Sequence, residues 1–554
     1  MKHEKNIKDN LRISTSDDIE LGTYLEIAKS HTLKGTSPEI DSKNQTIVIF
    51  DFGSQYSRLI ARRVRELNTF CEIINFDSDP SIMNEQNVIG FIFSGGPNSV
   101  YDKNAPLAPN WVYASNKPIL GICYGMQILA HQLGGKVVPG QKKEYGHTVI
   151  HKNKSSKILA EIADDVTVWM SHGDRIESKP IGFETIAFSD NSPNAIISDE
   201  NKMYYGIQFH PEVVHTPNGT KILKNFIFKI CNSSGSWTSK NFVSQTVKNI
   251  KQRIGNDKVI CALSGGVDST VTAALIHKAI GDNLTCIFVD NGLMRKGEVE
   301  RIRDVFTKDI GAKVIFYDGK KRFLKSLKNI IDPEEKRKII GAEFINIFEE
   351  VAEEIGTVDY LAQGTLYPDV IESTSNETGQ AHKIKTHHNV GGLPEKMKLR
   401  LIEPLRYLFK DEVRLAGIEL GLSKQNVYRQ PFPGPGLAIR IIGEITEKKL
   451  EILRDSDWII VNEIKSAGLY EKVWQSFAVL TNTQTVGVMG DKRTYQYVVA
   501  IRSVDSQDAM TADWSKLPYD LLGKISNRIV NEVNDVNRVV YDITSKPPGT
   551  IEWE

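Results

Sequence analysis

The chain has 554 residues, 40% hydrophobic and 25% charged, and its 69 Lys and Arg balance 69 Asp and Glu. Balanced charge supplies no field to draw it to a nucleic acid or an anionic membrane, which leaves small molecules as the expected partners. Its longest apolar runs are strand-sized, far short of the roughly 20 residues of a spanning helix, and no charged-then-apolar leader is visible. Five cysteines (Cys71, Cys123, Cys231, Cys261, Cys286) are scattered and never in CxxC spacing. That pattern argues against a disulfide framework or a zinc site and predicts a reducing, cytoplasmic setting.

Residues 1–44 mix Ser, Thr, Asn, Lys and Asp around one short apolar stretch near Leu21 to Ala28, too little for a core, and predict a flexible extension. From Gln45 onward, TIVIFD, VIGFIFSG, KPILGI and MYYGIQFH read as strands and YSRLIARRVREL and YGMQILAHQLG as helices, an α/β domain over 45–232. The polar NSSGSWTSKN near 232–241 reads as a linker. A second α/β domain over 233–430 opens with KVICAL, a glycine turn, STVTAALIHKAIG and LTCIFVDNG, a compact βαβ unit. Within it, residues from about 371 to 400 lack apolar periodicity and predict a lid loop. After the Pro- and Gly-rich QPFPGPGLAIR come a helix over about 447–466, strands near Trp474 to Leu480 and Tyr495 to Ile501, a helix from Tyr519 to Val533 and the strand RVVYDIT. Consecutive strands without helices predict an α+β module with an antiparallel sheet over 431–554. The fold class is therefore α/β: two successive α/β domains with mainly parallel sheets, followed by a smaller α+β C-terminal domain.

Cys123 stands in GICYGMQ, directly after the strand PILGI and before a helix, so a sharp turn lifts its sulfur beside helix N-terminal amides that favour a thiolate. Gly121 and Gly125 leave room for that turn. A general base is offered by His210 in HPE, and Glu212, two positions on, can orient the ring. SGGP at 94–97 supplies backbone N–H groups for an oxyanion, with Gly96 and Tyr124 the candidates. Taken singly, a lone Cys in an α/β core is more often packing and a lone HPE more often a turn; the other four cysteines are assigned to packing.

The segments FDFGSQYSRLIARRVRE, SGGPNSV, GICYGMQ, MSHGD and GIQFHPEV, in this order, resemble the class I glutamine amidotransferases over about 185 residues. The resemblance implies glutaminase activity, with Cys123 forming a glutamyl thioester, His210 as base and Glu212 as its orienter. It also implies that Gln127 and Asp174 bind the polar ends of glutamine.

SGGVDS at 264–269 follows KVICAL and opens a helix. Two glycines permit close approach of backbone to an anion, and the helix start adds aligned N–H groups. Candidate contacts are Ser264, Gly265, Gly266, Val267, Asp268, Ser269 and Thr270, and Asp268 is a candidate magnesium ligand. No Lys stands where a GxxxxGK loop would need it. SGGVDS on a βαβ unit is similar to the N-type ATP pyrophosphatases, which implies ATP as substrate with magnesium and pyrophosphate as the leaving group.

GTLYPDVIES, KIKTHHNVGGLP, QPFPGPGLAIR and KPPGTIEWE, with both sites, resemble the GMP synthase family over residues 45–554. This implies glutamine, ATP and xanthosine 5′-monophosphate (XMP) as the small-molecule substrates, an adenylyl intermediate, and a homodimer formed through the last domain. It implies no zinc, flavin, nicotinamide, nucleic acid or membrane. Arg337 and Lys546 suit a 5′-phosphate, Glu552 the N–H edge of a purine, and Gln475 the same pocket. In the lid, Asp369, Glu372, Lys383 and Lys385 would close over the phosphates. His387 and His388 have no third ligand at metal spacing. Two other readings are a glutamine-fed ATP pyrophosphatase acting on RNA, which predicts a basic face, and a silent nucleotide sensor, which predicts missing chemical groups.

Overall fold

Alternating β-rich and amphipathic stretches build two units, one ending at Phe242 and the other running from Val243 to Glu554. The computed structural model describes residues 44–375, 399–506, 509 and 511–554, so Lys383, Lys385 and residues 1–43 of the expected extension lie outside the described residues.

In the first unit the strands are β1 (Gln45–Asp51), β2 (Phe70–Asn75), β3 (Asn87–Phe93), β4 (Ile119–Ile122), β5 (Lys136–Lys152), β6 (Asp165–Ser178), β7 (Glu184–Phe188), β8 (Ile196–Asp199) and β9 (Tyr204–Ile207). Helix α1 (Ser57–Glu66) and helix α2 (Tyr124–Gln132) connect them. Sheet order is β2-β1-β3-β4-β9-β8-β7-β5-β6. Its first five strands are parallel, as the βα alternation requires, and the remainder is antiparallel. The sequence reading did not single out the long pair β5 and β6, because register shifts at Lys136/Val137 and Pro139/Glu144 break the two-residue alternation. Helix α1 buries Ile60, Ala61 and Val64 on one face, and Arg65 beside them lies buried over the Phe70 ring and donates to Cys71 O. Phe50, Phe91, Phe93, Ile119 and Met126 make a core beneath the carboxyl ends of the parallel strands.

In the second unit, after a helix over Ser239–Ile254, come β10 (Val259–Leu263), α3 (Val267–Ile280), β11 (Leu284–Asp290), α4 (Glu298–Asp304), β12 (Lys313–Asp318), α5 (Pro333–Ile355), β13 (Tyr360–Ala362), α6 (Tyr367–Ser375) and β14 (Arg400–Ile402). Five strands in the order β12-β11-β10-β13-β14 are all parallel. Every residue of β11 is buried, the continuous apolar run expected of a strand covered on both faces. The expected lid loop is corrected at both ends: residues up to Ser375 continue α6, and Arg400 already pairs in β14. Asp369 and Glu372 therefore stand on a helix rather than a loop.

Helix α7 (Glu447–Ser466) matches its expected bounds, and β15 (Gln475–Met489), β16 (Lys492–Ser506), β17 (Ala512–Trp514), α8 (Tyr519–Glu532) and β18 (Val536–Asp542) complete the chain. Antiparallel pairing holds for β15, β16 and β17, but β18 runs parallel to β16, correcting the all-antiparallel expectation. Helix α8 supplies the crossover that a parallel return needs. No helix among the described residues is long and apolar enough to cross a membrane.

Candidate active sites

In the first unit, Cys123 is the single residue between β4 and α2, held at φ 53 and ψ −106. A non-glycine residue in that region is strained, and such strain persists only where the surroundings enforce it. Here both flanks do. A Cβ on Gly121 would lie 2.5 Å from Gly125 O, and one on Gly125 would lie 2.4 Å from Phe93 O, so only glycine fits at either place. The carbonyl of Cys123 already accepts from Met126 N and Gln127 N, closing the first turn of α2.

Strand β9 stops at Ile207, and the chain turns so that the His210 ring comes near enough to the Cys123 sulfur to feel its charge. Glu212 Oε1 accepts from His210 Nδ1 at 2.7 Å, and both side chains are buried. Burial opposes a charged imidazole, but the Glu212 carboxylate and Cys123 outweigh it and raise the His210 pKa to about 11. The turn is pinned on several sides. His210 O accepts from Thr216 Oγ1 (2.7 Å), His210 N donates to Trp169 O (3.1 Å), and Glu212 O accepts from Arg63 Nε (3.0 Å). Sequence reasoning missed Gln208, whose Nε2 lies 3.8 Å from Cys123 Sγ.

The glycine loop borders this pair. A Cβ on Gly95 would stand 3.4 Å from His210 Cε1 and 3.9 Å from Cys123 Cβ. At Gly96 it would stand 2.8 Å from Phe52 O and from a Tyr124 ring carbon, so Gly96 packs directly on Tyr124. Gln127 is buried and donates to Asp174 O (3.3 Å), while the Asp174 carboxylate accepts from Tyr101 (2.8 Å) and Ser99. All four other cysteines are free and buried.

In the second unit, Ser264, Gly265 and Gly266 join β10 to α3. Gly265 takes φ +79, and a Cβ there would lie 2.5 Å from Ile302, which excludes any larger residue. The turn opens onto a cleft of about 210 Å³ lined by residues 262–269, by Gln363 and Gly364, and by Lys410, Arg429 and the 430–434 segment. Ser264 Oγ and Ser269 Oγ are 3.2 Å apart. Thr270 is buried and gives its hydroxyl to Gly266 O (2.7 Å), so it braces the turn from within. Asp268 pairs through one oxygen with Lys410, and its other oxygen is buried without a hydrogen-bond partner. Charges unnoticed in the sequence lock the loop from behind: Arg301 and Arg429 both donate to Gly265 O (3.2 and 2.9 Å) and both pair with buried Glu298 (2.7 and 2.6 Å).

Glu552 is buried and accepts from Arg440 Nε (3.0 Å), Arg440 Nη2 (2.7 Å) and Gln475 Nε2 (3.0 Å). Arg440 is fully buried over the Phe477 ring at 3.9 Å, and no sequence signal distinguished it from a surface arginine. The structure thus brings Gln475 and Glu552 together. Arg337 reaches the same tail by donating to Glu554 O (2.6 Å), whereas Lys546 donates to Ala509 O (2.8 Å). Asp369 caps its own helix by accepting from Leu366 N (2.7 Å).

Comparison with known proteins gives three family-model matches: glutamine amidotransferase class-I over residues 48–230, NAD synthase over 238–338, and the GMP synthase C terminal domain over 462–553. A GMP synthase [glutamine-hydrolyzing] of Dehalococcoides mccartyi is 59% identical over 536 residues, spanning 96% of this chain and 100% of that protein. The protein of the same name from Carboxydothermus hydrogenoformans is 55% identical over 508 residues, 92% of this chain and 99% of its own. Among solved structures, a putative GMP synthase subunit from Thermoplasma acidophilum is 32% identical, covering 34% of this chain and 95% of that one, with a TM-score of 0.32.

Proposed function

Since the chain belongs to the glutamine-hydrolysing GMP synthase family, a ligase that aminates XMP to GMP with nitrogen from glutamine and with ATP as substrate, we propose how its residues divide that work. The observation that carries the proposal is the strained Cys123 held against the buried His210–Glu212 pair.

Cys123 Sγ attacks the side-chain amide carbon of glutamine as His210 holds the thiol proton, and backbone N–H groups of Gly96 and Tyr124 stabilise the oxyanion. His210 then protonates the departing ammonia, leaving a glutamyl thioester. Water, deprotonated by His210, hydrolyses that thioester to glutamate and restores the sulfur. Glu212 keeps the imidazole oriented and favours its charged form. Asp174 takes the α-ammonium of glutamine and Gln127 lies beside it.

In the second unit, the XMP oxygen at C2 attacks the α-phosphorus of ATP, pyrophosphate leaves, and ammonia displaces AMP. Ser264, Gly265, Gly266, Val267 and Ser269 cradle the leaving pyrophosphate. Asp268, with an oxygen that has no partner of its own, fits a magnesium ion held mainly by phosphate and water oxygens; such an ion would neutralise phosphate charge. Gln475 and Glu552 address the purine, and Arg337 and Lys546 the 5′-phosphate. Asp369 and Glu372, both on α6, are the described members of the residue set expected to close over the phosphates.

The chain divides into domains at 45–232, 233–430 and 431–554; the family-model spans of 48–230, 238–338 and 462–553, each falling within one of them, support this reading. Exposed Val486, Val488 and Tyr495 on the β15–β16 hairpin, with Val540 on β18, support a homodimer through the last domain. Five free, buried cysteines support a reducing cytoplasmic location. AMP release measured with a panel of nucleotides tests the acceptor: XMP is expected to support it, and failure of XMP where another nucleotide succeeds would overturn the assignment.

A further inference from the structure

Strand β6 carries His172 in MSHGD, a residue with no part in the chemistry above. The β5–β6 ladder sets Glu144 directly opposite His172, immediately after the register shift at Pro139/Glu144. Directly opposed side chains in an antiparallel pair are near enough to bond. Glu144 and His172 are both buried, and His172 Nε2 lies 3.0 Å from Glu144 Oε2. The other carboxylate oxygen, Oε1, accepts from Ser189 Oγ at 2.8 Å, and Ser189 is buried as well. On the opposite side of the ring, His172 Nδ1 lies 2.8 Å from Asp174 O.

A backbone carbonyl has only lone pairs to offer, and an ionised carboxylate likewise accepts only. Both ring nitrogens of His172 are therefore held, one by the Glu144 carboxylate and the other by the Asp174 carbonyl. Burial works against the Glu144 carboxylate, yet the bonds from His172 and Ser189 outweigh it and hold its pKa below the ordinary value.

This pair connects to the candidate glutamine site at two points. Asp174 O, fixed by His172, is also the acceptor for Gln127 Nε2, so the backbone on which the ammonium-binding carboxylate hangs is tied to the second glutamine-binding side chain. One residue before His172, Ser171 O stands 3.7 Å from Cys123 Sγ. A strand segment with functional contacts on both sides of one histidine holds its register only as well as that histidine is held.

We propose that Glu144 and His172 are positioning residues for glutamine, a buried hydrogen-bonded pair that locks the Ser171–Asp174 segment so that the Asp174 carboxylate meets the substrate α-ammonium while the scissile amide meets Cys123. This rests on the glutaminase reading of the Cys123 site. Neither residue touches the reacting atoms, so the effect falls on the KM for glutamine ahead of kcat.

Four full-length variants test it: His172→Ala, Glu144→Ala, His172→Asn and Glu144→Gln. GMP formation is followed with glutamine and, separately, with ammonium as nitrogen source. Both alanine variants are expected to raise the KM for glutamine about tenfold or more, the scale of a buried polar group left without its partner, with ammonium-driven synthesis unchanged. Glu144→Gln keeps an amide that can donate to a neutral ring whose Nδ1–H still bonds Asp174 O, and is expected to stay within about threefold of the parent. His172→Asn retains a donor near the Nδ1 position and should fall between. An unchanged KM in the alanine variants would overturn the proposal. So would equal loss of both reactions in the two conservative variants, since that marks a general folding role. Failure of the underlying glutaminase reading looks different: Cys123→Ala would then keep its glutamine-driven rate.

Discussion

Replacing Glu212 by Gln removes one negative charge from a fully buried site and leaves the shape nearly intact. In the parent protein the carboxylate accepts from His210 Nδ1 at 2.7 Å and is the largest influence raising the imidazole, whose pKa reaches about 11. An unperturbed histidine titrates near 6.5, and an adjacent opposite charge typically moves a pKa by about 1–3 units, or about 1.4–4 kcal/mol. Because the folded protein holds a proton that the unfolded chain releases above about pH 6.5, this group's contribution to stability is full below that pH and is lost as pH rises toward 11. In Glu212→Gln the alkaline limit of the charged imidazole should therefore move down by about 1–3 units. The assay is the pH profile of kcat/KM for glutamine hydrolysis, with ammonium-driven synthesis at each pH as the internal control. An alkaline limb unmoved by the substitution would refute the claim that Glu212 sustains the His210 charge.

Three other outcomes follow from the same geometry. Asp268→Ala should lose about 100-fold or more of both glutamine- and ammonium-driven synthesis, a loss typical of removing a group that stabilises transferring phosphate; an unchanged ATP-dependent rate would detach the 264–269 turn from the mechanism. Arg440→Ala strands the buried Glu552 carboxylate, so thermal or urea unfolding should register a loss of about 3–5 kcal/mol, together with a raised KM for XMP. A change below about 1 kcal/mol would mean the pair is not the buried clasp described. Gly96→Ala forces a methyl to within 2.8 Å of Phe52 O, and glutamine-driven turnover should fall while ammonium-driven turnover persists, as paired initial-rate assays would reveal.

Local chemistry was the legible part of the sequence. Cys123 announced itself because a strand, two glycines and a helix are contiguous around it, and His210 with Glu212 because they are two residues apart. The phosphate turn was legible for the same reason, although Thr270 turns inward, since a helical threonine commonly bonds the carbonyl four residues back. What escaped were partnerships between residues far apart in the chain. Arg440 and Glu552 are separated by 112 positions and Arg429 and Glu298 by 131, and neither arginine differs in the sequence from a solvated one. Glu144 was hidden differently, because the register shift that places it opposite His172 breaks the alternation by which a strand is recognised. Parallel pairing of β18 depended on where α8 returns the chain, which no local pattern in RVVYDIT encodes.

The division of labour is tested most directly by one preparation of Cys123→Ala, assayed for GMP formation from XMP and ATP with glutamine and with ammonium as alternative nitrogen sources. Glutamine should give no product and ammonium a rate close to that of the unmodified protein. Product from glutamine, or loss of the ammonium reaction in a protein that remains folded, would contradict the assignment of the sulfur to nitrogen release and of the second unit to nucleotide amination.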